Sequence, residues 1–180
     1  MKELSLHILD IVQNSIKADA KNIEIIIDEN TADNLLTIEI IDNGCGMSEE
    51  FLKRVKDPFV TTRTTRKMGM GLSLFEAAAV QCGGRLDIES QLGVGTKVTA
   101  LFMYDDIDRA PIGDMASTML AIISGAPEIE YLYKHKKDGK EFVLDTVQLK
   151  EILGDVPLDT PDVLNWIVGY IREGLTDINI

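Results

Sequence analysis

Several short stretches combine residue types in ways that chemistry can use. Asp10 and Asn14 stand four apart in LHILDIVQNSIK, so on a helix their side chains lie one turn apart on one face. An amide oxygen is a hard ligand suited to Mg²⁺, and a carboxylate one turn away can orient or deprotonate a water. His7 and Lys17 extend that stripe, and Lys17 has the reach for a phosphate oxygen. A plain solvated helix face has the same composition, so the pattern alone leaves both readings open. The hexapeptide DNGCGM (42–47) is more specific, because it ends the apolar run LLTIEII with an acid and two spaced glycines. A carboxylate at a strand end can accept a hydrogen bond from an exocyclic amine. Gly44 and Gly46 would let backbone close over a ring, and Met47 offers a soft apolar surface.

Further along, GMGLS (69–73) places Gly69 and Gly71 at the mouth of a helix, where free amides and the positive dipole end favour an anion. The segment DPFVTTRTTRK before it supplies Arg63, Arg66 and Lys67 with four threonines, all donors to phosphate oxygens. Neither the Gly-Lys-Ser/Thr phosphate loop nor the dinucleotide fingerprint is present, since spacing and strand context both differ. Gly93-x-Gly95-Thr96 reads by itself as a strand-to-strand turn.

Recognisable elements carry these residues. Residues 3–19 have the period of an amphipathic helix, with Leu4, Ile8, Ile11 and Val12 on one half and Asp10, Gln13, Asn14 and Lys17 on the other. NIEIIID and LLTIEII alternate as two strands joined by a polar turn. SEEFLKRVK suits a short helix capped by Ser48. Residues 57–67 have no period and read as a loop. A helix opens at the 69–71 glycines and stops at Gly83-Gly84, and the strands RLDIES and TKVTALFM follow. Beyond Tyr104 an acidic, proline-containing linker precedes a helix (113–123), a hairpin (128–134 and 141–146, through KHKKDGKE) and helices near 147–153 and 160–174. The expected division is 1–104 as one domain and 105–180 as a small α+β appendage that docks a partner.

The totals bound the function. The net charge of −12 argues against general nucleic-acid binding. Two cysteines make neither a disulfide framework nor a four-ligand metal site. No signal-peptide pattern or bilayer-length apolar run is visible, so a soluble cytoplasmic protein without membrane attachment is expected. Residues 53–67 hold six bases against Asp57 alone, which suits a local anion, although a solvated charge run has the same look.

Taken in order, LDIVQNSIKADA, DNGCGM, MGMGLS and GVGT resemble the N, G1, G2 and G3 boxes of the GHKL superfamily of ATP-binding domains. That superfamily includes gyrase, heat-shock chaperone, histidine kinase and mismatch-repair ATPases. DPFVTTR resembles the F-box stretch of histidine kinases. The resemblance covers about residues 1–104. It implies a two-layer α/β sandwich of the Bergerat type, with a mixed, mainly antiparallel sheet covered by helices on one face. It implies that Asp42 binds the adenine amine, with Gly44, Gly46 and Met47 along the ring. Asn14 would hold Mg²⁺, and Lys17 would reach the phosphates. Gly69, Gly71 and Leu72 would wrap the phosphates beneath a 57–68 lid that brings Arg63, Arg66 and Lys67, and Thr96 joins the nucleotide set through the G3 resemblance. Asp10 would be the catalytic carboxylate that orients or deprotonates water. The family usually has Glu at that position, and a glycine where Lys67 stands. The chain begins at the N box without dimerisation helices, so an acceptor on a separate protein is expected. Three uses compete on this reading: phosphate transfer to a partner, an ATPase switch, and a non-catalytic adenine-nucleotide sensor.

Overall fold

A computed structural model describes residues 3–56 and 69–180. In chain order the elements are α1 (Leu4–Lys17), β1 (Asn22–Asn30), β2 (Leu35–Asp42), α2 (Glu49–Lys56), α3 (Gly69–Gln81), β3 (Arg85–Gln91), β4 (Gly95–Met103), α4 (Met115–Gly125), β5 (Glu130–Lys137), β6 (Lys140–Asp145), α5 (Thr146–Leu153) and α6 (Pro161–Asp177). The expected loop at 57–67, with the lid assigned to it, lies outside the described residues.

The strands form one mixed sheet in the order β3-β4-β2-β1-β5-β6. All neighbours are antiparallel except β1 and β5, which run parallel. Side chains alternate across a strand, and the register brings the apolar ones to a common face. Ile25, Ile40, Val98 and Tyr133 are joined by consecutive pairings, and all four are buried. Helices α1, α3, α4 and α6 contribute Ile8, Phe75, Met119 and Ile167 to the same core. The two-layer sandwich read from the sequence is the observed fold.

Local signals set the element ends. Ser48 Oγ accepts the Phe51 amide at 3.2 Å and starts α2. Asp114 caps α4 by accepting from the Ser117 amide at 3.0 Å. Helix α3 stops where Gly84 N–H reaches the Ala79 carbonyl at 2.8 Å, as the paired glycines lead one to expect.

The sheet does not stop at residue 104. The hairpin expected in the appendage adds β5 and β6 to the edge formed by β1. β5 runs on to Lys137 and β6 begins at Lys140, so the turn shrinks to Asp138 and Gly139, both at positive φ (48° and 86°). Asp-Gly with two left-handed residues is a strong two-residue hairpin signal, whereas KHKK had read as loop. His135 is the reason KHKK is strand. It lies fully buried, its Nε2 is 2.7 Å from Glu29 Oε2, and its Nδ1 is 2.7 Å from the Tyr133 hydroxyl. Tyr104 also donates to Glu29, at 3.4 Å.

Glu29→Leu would leave the buried ring nitrogen of His135 unpaired. An orphaned buried polar group of this kind costs roughly 2–4 kcal/mol. Urea unfolding should therefore show a lower midpoint with an unchanged slope; an unchanged midpoint would contradict the structural role given to this network.

Candidate functional site

Strand parity places the central acid. Leu36, Ile38 and Ile40 line the buried face of β2, so Asp42, two residues on, ends that stripe with its carboxylate turned toward α1. There Ser15 donates to Asp42 Oδ2 at 2.6 Å, and Gly44 N–H donates to Oδ1 at 2.9 Å. A carboxylate offers about four lone-pair positions, so acceptor capacity remains for a ligand. Asp42 also pairs across the sheet with Thr96.

Around this carboxylate is a pocket lined by Ile11, Asn14, Ser15 and Ala18 of α1 and by Cys45, Gly46 and Met47 after β2. Val55 of α2, Leu72 of α3 and Thr96 and Val98 of β4 complete the lining. Its walls are apolar apart from a few convergent polar groups, the usual make-up of a small-molecule site. Thr96 is oriented by a short network. Ser90 Oγ accepts the Met47 amide at 2.8 Å and can donate to the Gly95 carbonyl at 3.0 Å. Ser90 Oγ and Thr96 Oγ1 also lie 2.8 Å apart, where either hydroxyl can donate, and in either arrangement Thr96 keeps an acceptor lone pair beside Asp42.

The glycines of DNGCGM have a different reason from the one expected. A Cβ on Gly44 would stand 2.8 Å from the Ala18 carbonyl oxygen, and one on Gly46 would meet the Gln91 carbonyl oxygen. Gly46 also has φ of +69°, which L side chains rarely adopt. The close approach is thus to the protein's own backbone. It stitches the loop to the end of α1 through Cys45 N–H to the Ala18 carbonyl (2.8 Å), and to the β3–β4 turn through Gly93 N–H to the Cys45 carbonyl (2.7 Å). Adenine is not needed to explain these glycines; they shape the rim of the pocket.

Of the residues singled out from sequence, Asn14, Asp42, Gly46, Met47, Leu72 and Thr96 converge on the pocket. Gly44 is buried behind it. Asp10 and Lys17 lie on the neighbouring stripe of α1, Asp10 half-buried and Lys17 exposed. Gly71 stands over Asp10: a Cβ there would be 3.3 Å from Asp10 Cβ. Gly69 is the first residue of α3. Arg63, Arg66 and Lys67 lie outside the described residues. His7 is a packing residue, stacked on Phe75 at 5.1 Å between ring centres, and burial holds its imidazole below the usual range. Sequence reasoning missed Ser15 and Ser90. Ser15 projects into the middle of the apolar half of α1, between Leu4, Ile8 and Ile11, and is buried there.

Asn14 lies at the seam of α1, between the apolar half that faces the pocket and the Asp10–Lys17 stripe. Among the described residues no group of three or more His, Cys, Asp or Glu could hold a metal ion by itself. Mg²⁺ bound with phosphates takes only one or two protein oxygens, and Asn14 with Asp10 one turn away supplies oxygen donors. The donor set fits that ion.

A family model described as histidine kinase-, DNA gyrase B- and HSP90-like ATPase matches residues 2–106. Histidine protein kinase DivJ of Caulobacter vibrioides is 34% identical over 96 residues, covering 51% of this chain and 16% of that protein. Sporulation kinase D of Bacillus subtilis is 32% identical over 92 residues, covering 51% and 18%. The chain thus spans less than a fifth of the length of these relatives. Among solved structures, the N-terminal domain of a DNA repair protein aligns with a TM-score of 0.51 at 20% identity, over 80% of this chain and 53% of that one, a likeness of fold. The motifs in order, the sheet that carries them and the match over more than half the sequence lead to one family: this chain belongs to the histidine kinase-, DNA gyrase B- and HSP90-like ATPases.

Proposed function

We propose that the pocket takes the adenine of ATP and that the chain passes the terminal phosphate to a separate protein. The observation that carries the first half is the Asp42 carboxylate, held by Ser15 and Gly44 in an apolar pocket with Thr96 beside it. Two acceptors side by side suit an exocyclic amine with two hydrogens. The ring lies between Ile11, Met47, Leu72 and Val98, and its identity is read by the amine.

From the base, the phosphates run toward Asn14 and the start of α3, where Gly71 faces Asp10. Free amides at the helix start favour negative charge there. Asn14 would hold Mg²⁺, which when bound offsets phosphate charge and polarises the terminal group. Lys17 stays solvated on the adjoining turn within reach of a phosphate oxygen.

The similarity to a histidine protein kinase at 34% identity and to a sporulation kinase at 32% supports phosphate transfer, the first of them to a protein. One observation favours a second reading, an ATP-driven switch that hydrolyses its nucleotide. Asp10 is half-buried against Gly71, where a carboxylate could orient water. Incubating the purified chain with γ-labelled ATP, with and without cell lysate, separates the readings as labelled protein or released phosphate. Neither product would leave nucleotide sensing alone.

Two outcomes follow. Asp42→Asn should weaken ADP binding by roughly tenfold to a hundredfold in calorimetry, the range for losing a charge-assisted buried hydrogen bond, with an unchanged circular dichroism spectrum. Unaltered affinity would remove the adenine assignment. Asp10→Asn should keep ATP binding and slow hydrolysis by roughly 10²–10⁴-fold if the acid orients water, whereas transfer to a partner that brings its own base should change far less.

A further inference from the structure

Helix α6 carries a surface that the fold does not use. At about 100° per residue, Asp162, Trp166, Gly169, Tyr170, Glu173 and Asp177 fall within an arc of about 100°, and all six are exposed. The opposite side, with Val163, Ile167 and Ile171, is the buried one. Tyr170 has a partial structural reason. Its ring lies 5.2 Å from that of Phe142, and its hydroxyl donates to the Val143 carbonyl at 3.3 Å, which covers part of the edge strand β6. Trp166 has no such reason. It stacks on Tyr170 at 5.0 Å with the planes 9° apart, and 53% of it remains exposed.

Gly169 is the second, independent sign. A glycine inside a helix weakens it, and it is usually excused by a close neighbour. Here a Cβ would meet nothing within 4 Å. Gly174, by contrast, is excused, since a Cβ there would strike the Phe142 ring. Gly169 therefore leaves an open shelf beside the aromatic pair, where another backbone can come close.

Charge selects the occupant. Residues 146–180 contain six acids and two bases. Both bases have acidic neighbours already, Lys150 with Glu130 at 3.0 Å and Arg172 with Asp114 at 3.6 Å. Lys137, from β5, reaches only the Asn179 carbonyl beyond the helix end, at 2.9 Å, and among the described residues Asp162, Glu173 and Asp177 make no ion pair, so the stripe presents carboxylates at both ends of an aromatic centre. Pairing with a second copy through this face would set acid against acid, and an anionic bilayer would be repelled. We propose that the α6 stripe docks a basic amphipathic helix of a partner protein. Its small or apolar seam would lie over Gly169, with Lys or Arg side chains reaching Asp162, Glu173 and the faces of Trp166 and Tyr170.

This names the partner chemistry for the segment beyond the family match, and it rests on the reading that this segment makes the partner contact. Its test uses no nucleotide, so its failure leaves the adenine site untouched. Trp166 is the only tryptophan, which makes emission a direct probe. Titration of the full chain with an amphipathic Leu/Lys peptide of about 18 residues should give a saturable blue shift, and the matching Leu/Glu peptide should give none. Asp162→Asn with Glu173→Gln should weaken the Leu/Lys peptide roughly tenfold. Gly169→Gln, which adds a better helix former in open space, should do the same by filling the shelf. Charge removal at the remote Asp105 and Asp108 should have no effect. Wild-type affinity in both stripe variants, equal response to the two peptides, or no response together with concentration-dependent dimerisation would overturn the proposal.

Discussion

The structure turns on where one carboxylate comes to rest. Asp42 is the last residue of a strand whose even-numbered positions are buried, so the alternation that packs Leu36, Ile38 and Ile40 also drives this acid beneath α1. A charge taken even partly out of water needs partners. Ser15 from the helix and the Gly44 amide from the following loop provide them. These two contacts tie α1, β2 and the DNGCGM loop into one rigid corner. Thr96 joins from β4 by register rather than by sequence proximity. Move Asp42 by one residue and its side chain would face the other side of the sheet, with no pocket to enter.

Much of this was legible in the chain, for definite reasons. Period-two alternation marks β1, β2 and β4, and parity along β2 already puts Asp42 on the apolar side. The stripe of Asp10, Asn14 and Lys17 follows from helical spacing alone. Ser15 was not legible, because a serine in an amphipathic helix has no distinguishing pattern until the strand opposite it is known. The loop glycines were legible as a constraint but not as to cause, since the carbonyls of Ala18 and Gln91 that crowd them lie far off in sequence. His135 misled for the same reason. Its partner, Glu29, is 106 residues away, so KHKK looks like a polar loop until the parallel pairing of β1 with β5 supplies a buried acid.

That parallel pairing also joins the two halves of the chain. The Asp42 corner sits at one part of the sheet, and β5 and β6 extend the same sheet away from it. Helix α4 connects β4 to β5 and shares a core with α1 and α6. The backbone of α1 is pinned from the later segment too, since the Leu4 and Ser5 amides donate to the carbonyls of Pro111 and Ile112 at 2.9 and 2.7 Å. A displacement of α1 therefore has a direct physical route to the helices beyond residue 105, through packed side chains and these hydrogen bonds.

If the Asp42 carboxylate reads an amine on a purine, the pocket must distinguish ADP from GDP. Calorimetric titration of the wild-type chain with ADP and with GDP tests it directly, because GDP carries a carbonyl oxygen where ADP carries its exocyclic amine. An acceptor facing two acceptors in a water-poor pocket loses the hydrogen bond and gains repulsion. ADP should bind at least roughly tenfold tighter than GDP; equal affinity for the two nucleotides would remove the role given to Asp42.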